Sequence, residues 1–272
     1  MNLASDPGFP MLLRRLEGHP LPPLAMYKDK CLQRRLAVRM RACGVQSLSE
    51  YADLLDRHPG EVDRLLQALT INVTHFFRNA TAWQRLGGEL EQRAVAGQAR
   101  FAAWSAGCAS GEEAYTVAML LAATLERAGL PLSAATVRVD ATDVDEASLA
   151  LARLGRYPAA AFGEAPVPEV KRWTVVDGEG RRIEDAVRAV VRVLRHDLGR
   201  DPAPEPPYDL VVCRNVLIYF ERDVQERLFH LFAEALCLGG VLLLGKVESL
   251  YGPARERFEP VDGRERLFRR IR

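Results

Sequence analysis

The chain has 272 residues, 37 Lys and Arg against 36 Asp and Glu, a net charge of +1 and a hydrophobic content of 48%. That is the composition of a globular chain with a sizeable core, and its balanced charge argues against a nucleic-acid role for the protein as a whole, leaving a local basic patch open. No apolar run approaches the ~18–20 residues of a membrane span. The start lacks the charged-then-apolar order of a secretory leader. The cysteines Cys31, Cys43, Cys108, Cys213 and Cys237 form no C-x-x-C pair, so neither a disulfide framework nor a metal site is expected, and a reducing, cytoplasmic location is.

Residues 1–80 are expected to form a small helical domain. Leu32, Leu36, Met40 and Cys43 recur at helical spacing and mark one apolar face. The same stretch carries Lys28, Lys30, Arg34, Arg35, Arg39 and Arg41 against the single acid Asp29. A charged helix face is usually only solvated. Gly44 is the predicted stop. Two short amphipathic helices follow, split at Pro59-Gly60, with Ser47 and Glu50 placed as a capping box.

Residues 81–272 change period. "RFAAWSAG" reads as a strand running into a glycine turn, "EEAYTVAMLLAATLERAG" as a helix ending at Gly129, "ATVRVDATDVD" as a second strand and "EASLALARLG" as a second helix. This alternation predicts a parallel sheet with crossover helices. Residues 157–196 break the rhythm and read as a small antiparallel β insertion around an Asp-Gly-Glu-Gly turn. The alternation then resumes with the strand "YDLVVC", a helix through "DVQERLFHLFAEALCLGG", the strand "VLLLG" and a terminal edge strand in "ERLFRRIR".

Chemistry concentrates where these strands end. "SAGCASGEE" places Gly107 and Gly111 between a strand and a helix, where a ligand can approach the backbone. Neither G-x-G-x-x-G nor a phosphate-cradling loop is present. Two glutamates at a helix start repel phosphate and suit a ligand with a cationic group; equally, they satisfy a helix dipole. Asp143 and Asp145 end the next strand, where a carboxylate either accepts ribose hydroxyls or caps a helix. In "CRNVLIYF", Arg214 and Asn215 fall at a strand's carboxyl end, and Tyr219 is either a packing residue or part of the same crevice.

Five segments in order, "TINVTHFFRN", "WSAGCASGEEAYTVAM", "ATDVDEASLALARLGRY", "YDLVVCRNVLIYF" and "LGGVLLLGKVES", are similar to the CheR family of chemoreceptor glutamate methyltransferases. The resemblance runs from about Tyr27 to the C-terminus. It implies a Rossmann-like S-adenosylmethionine-dependent methyltransferase fold with a small N-terminal helical domain and a small β insertion. It also implies methyl transfer to receptor glutamates. Asn72, Thr74 and Arg78 match positions that reach over the cofactor. Glu113, with Glu112 as the second choice, matches the acid that contacts it, beside the turn at Gly107. Asp143 matches the ribose-binding acid, and Asp197-Leu198 stand near the adenine. Arg214, Asn215 and Tyr219 match the signature beside the transferring methyl, with Arg78 and Tyr219 expected to hold and orient the acceptor carboxylate. The basic helix, through Arg34, Arg35 and Arg39, resembles the one that docks on a receptor's cytoplasmic helical bundle. A monomer without nucleic-acid or membrane partners is expected. Two other readings stay open: a methyltransferase of this fold with another substrate, and a cofactor-binding regulatory module without turnover.

The chain departs from the family pattern at several places. Gly245–Glu248 reads "GKVE" where the family has "GHSE", and Leu238–Gly240 reads "LGG" for "PGG". The insertion is short around Asp177–Gly180. In "TINVTHFFRN", Ile71, Val73, Phe76 and Phe77 are the expected anchors and Asn72, Thr74 and Arg78 the residues facing the cleft, whereas the sequence assigns His75 no role.

Overall fold

The computed structural model describes residues 6–16, 26–69 and 74–272. Asn72, with Ile71 and Val73, lies outside the described residues. Packing divides the chain into two compact units, Met1–Ile71 with Tyr219–Glu221, and Asn72–Ile218 with Arg222–Arg272.

The first unit is helical: α1 (Gly8–Leu16), α2 (Asp29–Cys43), α3 (Leu48–Arg57) and α4 (Pro59–Leu69). Leu32 and Leu36 of α2 are buried with Leu12, Tyr51, Leu55 and Leu65, and Met40 and Cys43 pack against that core, as the four- and three-residue spacing requires. Gly44 ends α2 in the left-handed region at φ 72°, its amide donating to the Arg41 carbonyl. Ser47 caps α3 by accepting from the Glu50 amide at 3.2 Å. Glu50 reaches back to the Gln46 amide, 2.8 Å away, one residue earlier than in the usual capping box. Tyr219–Glu221 join this unit by main-chain pairing: Lys28 N donates to Tyr219 O and Glu221 N to Met26 O, both at 2.9 Å. The rings of Tyr27 and Phe220 lie 4.9 Å apart.

The second unit begins with α5 (Ala80–Val95), for which the sequence reading had no element. It continues through β1 (Phe101–Ala106), α6 (Glu112–Arg127), β2 (Val137–Asp143), α7 (Glu146–Leu154), β3 (Arg156–Pro158), α8 (Val167–Trp173), β4 (Thr174–Asp177), β5 (Gly180–Ile183), α9 (Asp185–Arg188) and β6 (Val191–Arg195). It closes with β7 (Tyr208–Cys213), α10 (Arg222–Ala235), β8 (Leu236–Leu244), β9 (Phe258–Asp262) and β10 (Leu267–Arg270). The large sheet has the order β6-β2-β1-β7-β8-β10-β9. Its first five strands pair in parallel, and β10 is antiparallel to both β8 and β9. This is the expected α/β architecture, a mainly parallel sheet with crossover helices. Chain order reverses at β1, which has β2 on one side and β7 on the other, so the crevice lies beyond the carboxyl ends of these three strands.

Several details differ from the sequence reading. Residues 74–80 belong with the second unit, because Phe76 and Phe77 sit in its core. The insertion stops short of 196: β6 pairs in parallel with β2, Val139 opposite Val191 through Asp143 opposite Arg195. The small sheet is β3-β5-β4 alone, and it carries two helices, α8 and α9, where only strands were foreseen. β10 is internal, leaving β9 as the edge. Finally, α10 ends at Ala235, and Leu236 already pairs with Tyr208 across a bulge that shifts the register before Leu210–Val241.

Candidate functional site

At the end of β1, Gly107 has φ +82°. A Cβ built there would stand 2.6 Å from Val216 Cγ2 in the loop after β7. The glycine is therefore demanded by the packing of the two loops as well as by its dihedral. The glutamates that follow separate in role. Glu112 is buried and accepts from Ser110 Oγ at 2.7 Å. Glu113 accepts from Ser105 Oγ at 2.9 Å. Burial pushes the Glu113 carboxyl up to about 7, against the opposing pull of Arg214, the Ser105 bond and Arg78, with Glu248 adding to the rise. A carboxylate held this far from its preferred ionisation is a candidate for binding a cation.

The acids ending β2 also divide. Asp145 caps α7, accepting from Ala147 N at 3.2 Å and Ser148 Oγ at 2.7 Å. Asp143 does not cap. Its Oδ2 accepts from Ala109 N at 2.8 Å and its Oδ1 from Asp145 N at 3.0 Å, so it ties the loop after β1 to its own. Each oxygen keeps a lone pair for a further donor. Burial raises the Asp143 carboxyl, and these amide bonds oppose the rise. One strand further out, His196 N donates to Asp143 O at 2.9 Å, which brings Asp197 and Leu198 beside the Asp143 strand end. Asp197 Oδ1 accepts from Gly199 N at 2.8 Å and its own amide donates to Asp201 Oδ2 at 2.8 Å. Leu198 lines a cavity of about 150 Å³ with Asp201, Val224 and Leu228.

After β7 comes Arg214, 6% exposed. Its guanidinium lies over the Trp83 ring, 5.0 Å from the centroid, and donates through Nη2 to Asn79 Oδ1 at 2.9 Å. Its Nε is buried without a partner. Asn215 adopts φ +62°, a left-handed conformation that asparagine tolerates. The loop is fixed by Glu248, which accepts from Gly245 N at 2.6 Å, Asn215 N at 3.0 Å and Val216 N at 2.9 Å. The "GKVE" departure thus keeps its scaffold. Glu248 is buried, whereas Lys246, at the family's histidine position, is exposed.

The segment before α5 is held on all sides. Phe76 and Phe77 are 0% and 2% exposed, and Phe76 stacks on Phe162 at 4.2 Å. Phe77 N donates to Thr116 Oγ1 at 3.2 Å, and Arg78 O accepts from Trp83 Nε1 at 2.9 Å. The Arg78 charge acts on Glu113 and Arg214, so Arg78 shares their neighbourhood. Thr74 lies on the same segment, half-buried. His75, unexplained by sequence, donates through Nε2 to Glu164 Oε1 at 2.7 Å.

The second unit therefore brings together Arg78, Gly107, Glu113, Asp143, Asp197, Leu198, Arg214 and Asn215. Tyr219 is described with the helical unit instead, its carbonyl taken by Lys28 N. On α2, Arg34 is exposed and Arg35 half-buried. Arg39 departs from the docking expectation. It is engaged by Glu61 through Nε at 2.8 Å and Nη2 at 2.6 Å, while Tyr51 OH donates to the same carboxylate at 2.8 Å. Burial works against the Glu61 charge, but the Arg39 and Tyr51 bonds win and its carboxyl is held low. Sequence reasoning missed Ser105, Asn79, Trp83, Glu164 and Glu248. Of these, Ser105, Asn79 and Glu248 stood in quoted motifs but were given no role there, whereas Trp83 and Glu164 stood in none.

The half-buried carboxylates of Glu113 and Asp143, a glycine turn and a buried arginine with an unpaired Nε suit a ligand that offers a cation, hydroxyls and an acceptor. They do not suit a polyphosphate, which Glu112 and Glu113 would repel. Among the described residues no cluster of His, Cys, Asp and Glu could hold a metal ion. The class these features define is an S-adenosylmethionine-binding methyltransferase, and the comparisons agree. Residues 72–267 match "CheR methyltransferase, SAM binding domain" and residues 23–70 match "CheR methyltransferase, all-alpha domain". The chain belongs to the CheR methyltransferase family, and its cofactor is S-adenosylmethionine. A "Chemotaxis protein methyltransferase" of Listeria monocytogenes is 34% identical over 85% of this chain and 86% of that protein. One from Listeria innocua is 32% identical over the same shares, 85% and 86%. An "Uncharacterized 104.1 kDa protein" of Rhodobacter capsulatus is 34% identical over 90% of this chain, which spans only 26% of that protein.

Proposed function

We propose that the chain methylates glutamate side chains on the cytoplasmic helical bundle of a chemoreceptor. The observation that carries the reading is the grouping of Glu113, Asp143, Arg214 and Arg78 around the carboxyl ends of β1, β2 and β7, in a chain of this family. When bound, S-adenosylmethionine supplies an electrophilic methyl group on a sulfonium. Glu113, once ionised, receives the cationic end of the cofactor, Asp143 accepts ribose hydroxyls, and Asp197 and Leu198 stand at the adenine. Thr74, Gly107, Arg214 and Asn215 complete the binding set, with Asn72 as a further member. The acceptor glutamate, with an unperturbed pKa of about 4.3, is already anionic at neutral pH, so no general base is required. Arg78 holds that carboxylate and Tyr219 orients it. Positioning of this kind contributes on the order of 7–11 kcal/mol to a barrier. The exposed Arg34 and the half-buried Arg35 of α2 meet the acidic receptor helix.

The test is base-labile methanol release from a receptor incubated with the chain and labelled S-adenosylmethionine. Release is expected with the native chain, and Arg78→Ala and Tyr219→Phe are expected to lose most of it while keeping S-adenosylhomocysteine affinity. Full release in both variants would overturn the two assignments; no release from the native chain with any receptor would overturn the substrate.

A further inference from the structure

We infer that Glu164 is a positioning residue for Arg78, gripping the acceptor-side segment from the β insertion. The inference rests on the proposed role of Arg78 and deepens it. One carboxylate straddles that arginine: Oε1 receives His75 Nε2 at 2.7 Å and Oε2 receives Asn79 N at 2.8 Å. The segment needs such a grip. Phe77 and Asn79, the two neighbours of Arg78, both adopt positive φ, 54° and 61°. Non-glycine residues in that region persist only where their surroundings hold them. The other holds converge on the same segment. Phe76 N donates to Ala161 O at 2.9 Å, the Phe76 ring lies on Phe162 at 4.2 Å and 8°, and Thr116 takes Phe77 N. Residues 161, 162 and 164 thus form a bed in the insertion for residues 75–79. Glu164 is the charged member of that bed, and its charge also acts on Arg78.

Glu164 and His75 have side chains 49% and 28% exposed. A contact this wet adds little to global stability, so its value is in where it puts the chain. The arrangement gives His75 a reason that the sequence withheld: it supplies the second tether of the loop. It also links the β insertion physically to the segment that carries the acceptor-holding arginine.

The experiment compares the full chain with Glu164→Ala, Glu164→Gln, Arg78→Ala and the Glu164→Ala/Arg78→Ala double variant. The readouts are receptor methylation kinetics, S-adenosylhomocysteine calorimetry and hydrogen exchange of residues 75–79. Misplacing a substrate-holding group typically costs roughly 10–100-fold in rate, and that loss of kcat is expected for Glu164→Ala, with cofactor KM and S-adenosylhomocysteine affinity unchanged. Faster exchange at the Asn79 amide accompanies it. Glu164→Gln, which keeps an acceptor for Asn79 N, should recover most of the rate. The double variant should be no slower than Arg78→Ala alone, as residues acting through one another are not additive. Native kcat in Glu164→Ala while Arg78→Ala is impaired overturns the inference and leaves the Arg78 reading intact. Additive losses overturn it too. Native turnover in Arg78→Ala overturns the reading beneath it.

Discussion

If Glu113 receives the cofactor's cationic end as proposed, cofactor affinity depends on pH in a calculable way. Its carboxyl stands at about 7 instead of the usual 4.5, chiefly through burial, with Arg214, Ser105 and Arg78 opposing. In the ligand-free chain the protonated form is favoured, so the stability this group contributes is fully present below about pH 4.5 and is lost as pH rises through about 7. Cofactor binding runs the other way, because a cationic ligand group needs the carboxylate. Between pH 8 and pH 6 the ionised fraction falls from about nine-tenths to about one-tenth, so affinity should fall roughly tenfold, or about 1.4 kcal/mol. Calorimetric titration with S-adenosylhomocysteine at pH 6, 7 and 8, in buffers of different ionisation enthalpy, should show this loss. About half a proton should be released per molecule bound at pH 7. Glu113→Gln should bind more weakly at pH 8 and show little change down to pH 6. Equal affinity of the native chain at pH 6 and pH 8, with no proton released, would refute the reasoning.

Other variants separate scaffold from surface. Glu248→Ala leaves the amides of Gly245, Asn215 and Val216 without their acceptor, at roughly 1–3 kcal/mol each, so urea unfolding should show a loss of at least about 3 kcal/mol. Arg39→Ala leaves the buried Glu61 carboxylate held by Tyr51 OH at 2.8 Å and by a distant Arg64, and should cost roughly 1–3 kcal/mol in the same assay. Arg35→Glu should leave stability within about 0.5 kcal/mol yet weaken receptor methylation, most visibly at low salt. Gly107→Ala forces a Cβ into Val216 at an unfavourable φ, costing about 1–2 kcal/mol for the dihedral alone. Removing the contact with Val216→Ala should restore part of the thermal midpoint but not all of it.

The elements with strong periodicity were legible in the sequence. The α2 face at Leu32 and Leu36, the strands feeding β1, β2 and β7, and the acids at their ends all follow from local pattern. The losses have physical causes. β6 reads like its antiparallel neighbours because Val191–Arg195 alternates, and only its pairing partner, β2, places it in the large sheet. Arg39 looked like its neighbours on the cationic face, since nothing local announces a carboxylate 22 residues onward in sequence. Choosing between Asp143 and Asp145, or between Glu112 and Glu113, needed the direction of each side chain, which the spacing leaves open. Glu164 acts through bonds to His75 and Asn79, far back along the chain, and carries no motif of its own.

Asp143 shows one further consequence. A group that recognised a ligand and did nothing else would wait in a mobile loop and order it on contact. Here the carboxylate joins the Ala109 and Asp145 amides, so the chain's own hydrogen bonds tie the loops after β1 and β2 together. The rim of the crevice is therefore preorganised, and the entropy of ordering it belongs to folding instead of binding. Successive cofactor molecules can exchange without the loops being rebuilt. The same economy makes Asp143 a poor target for dissecting recognition: every replacement loosens the container while it removes the contact.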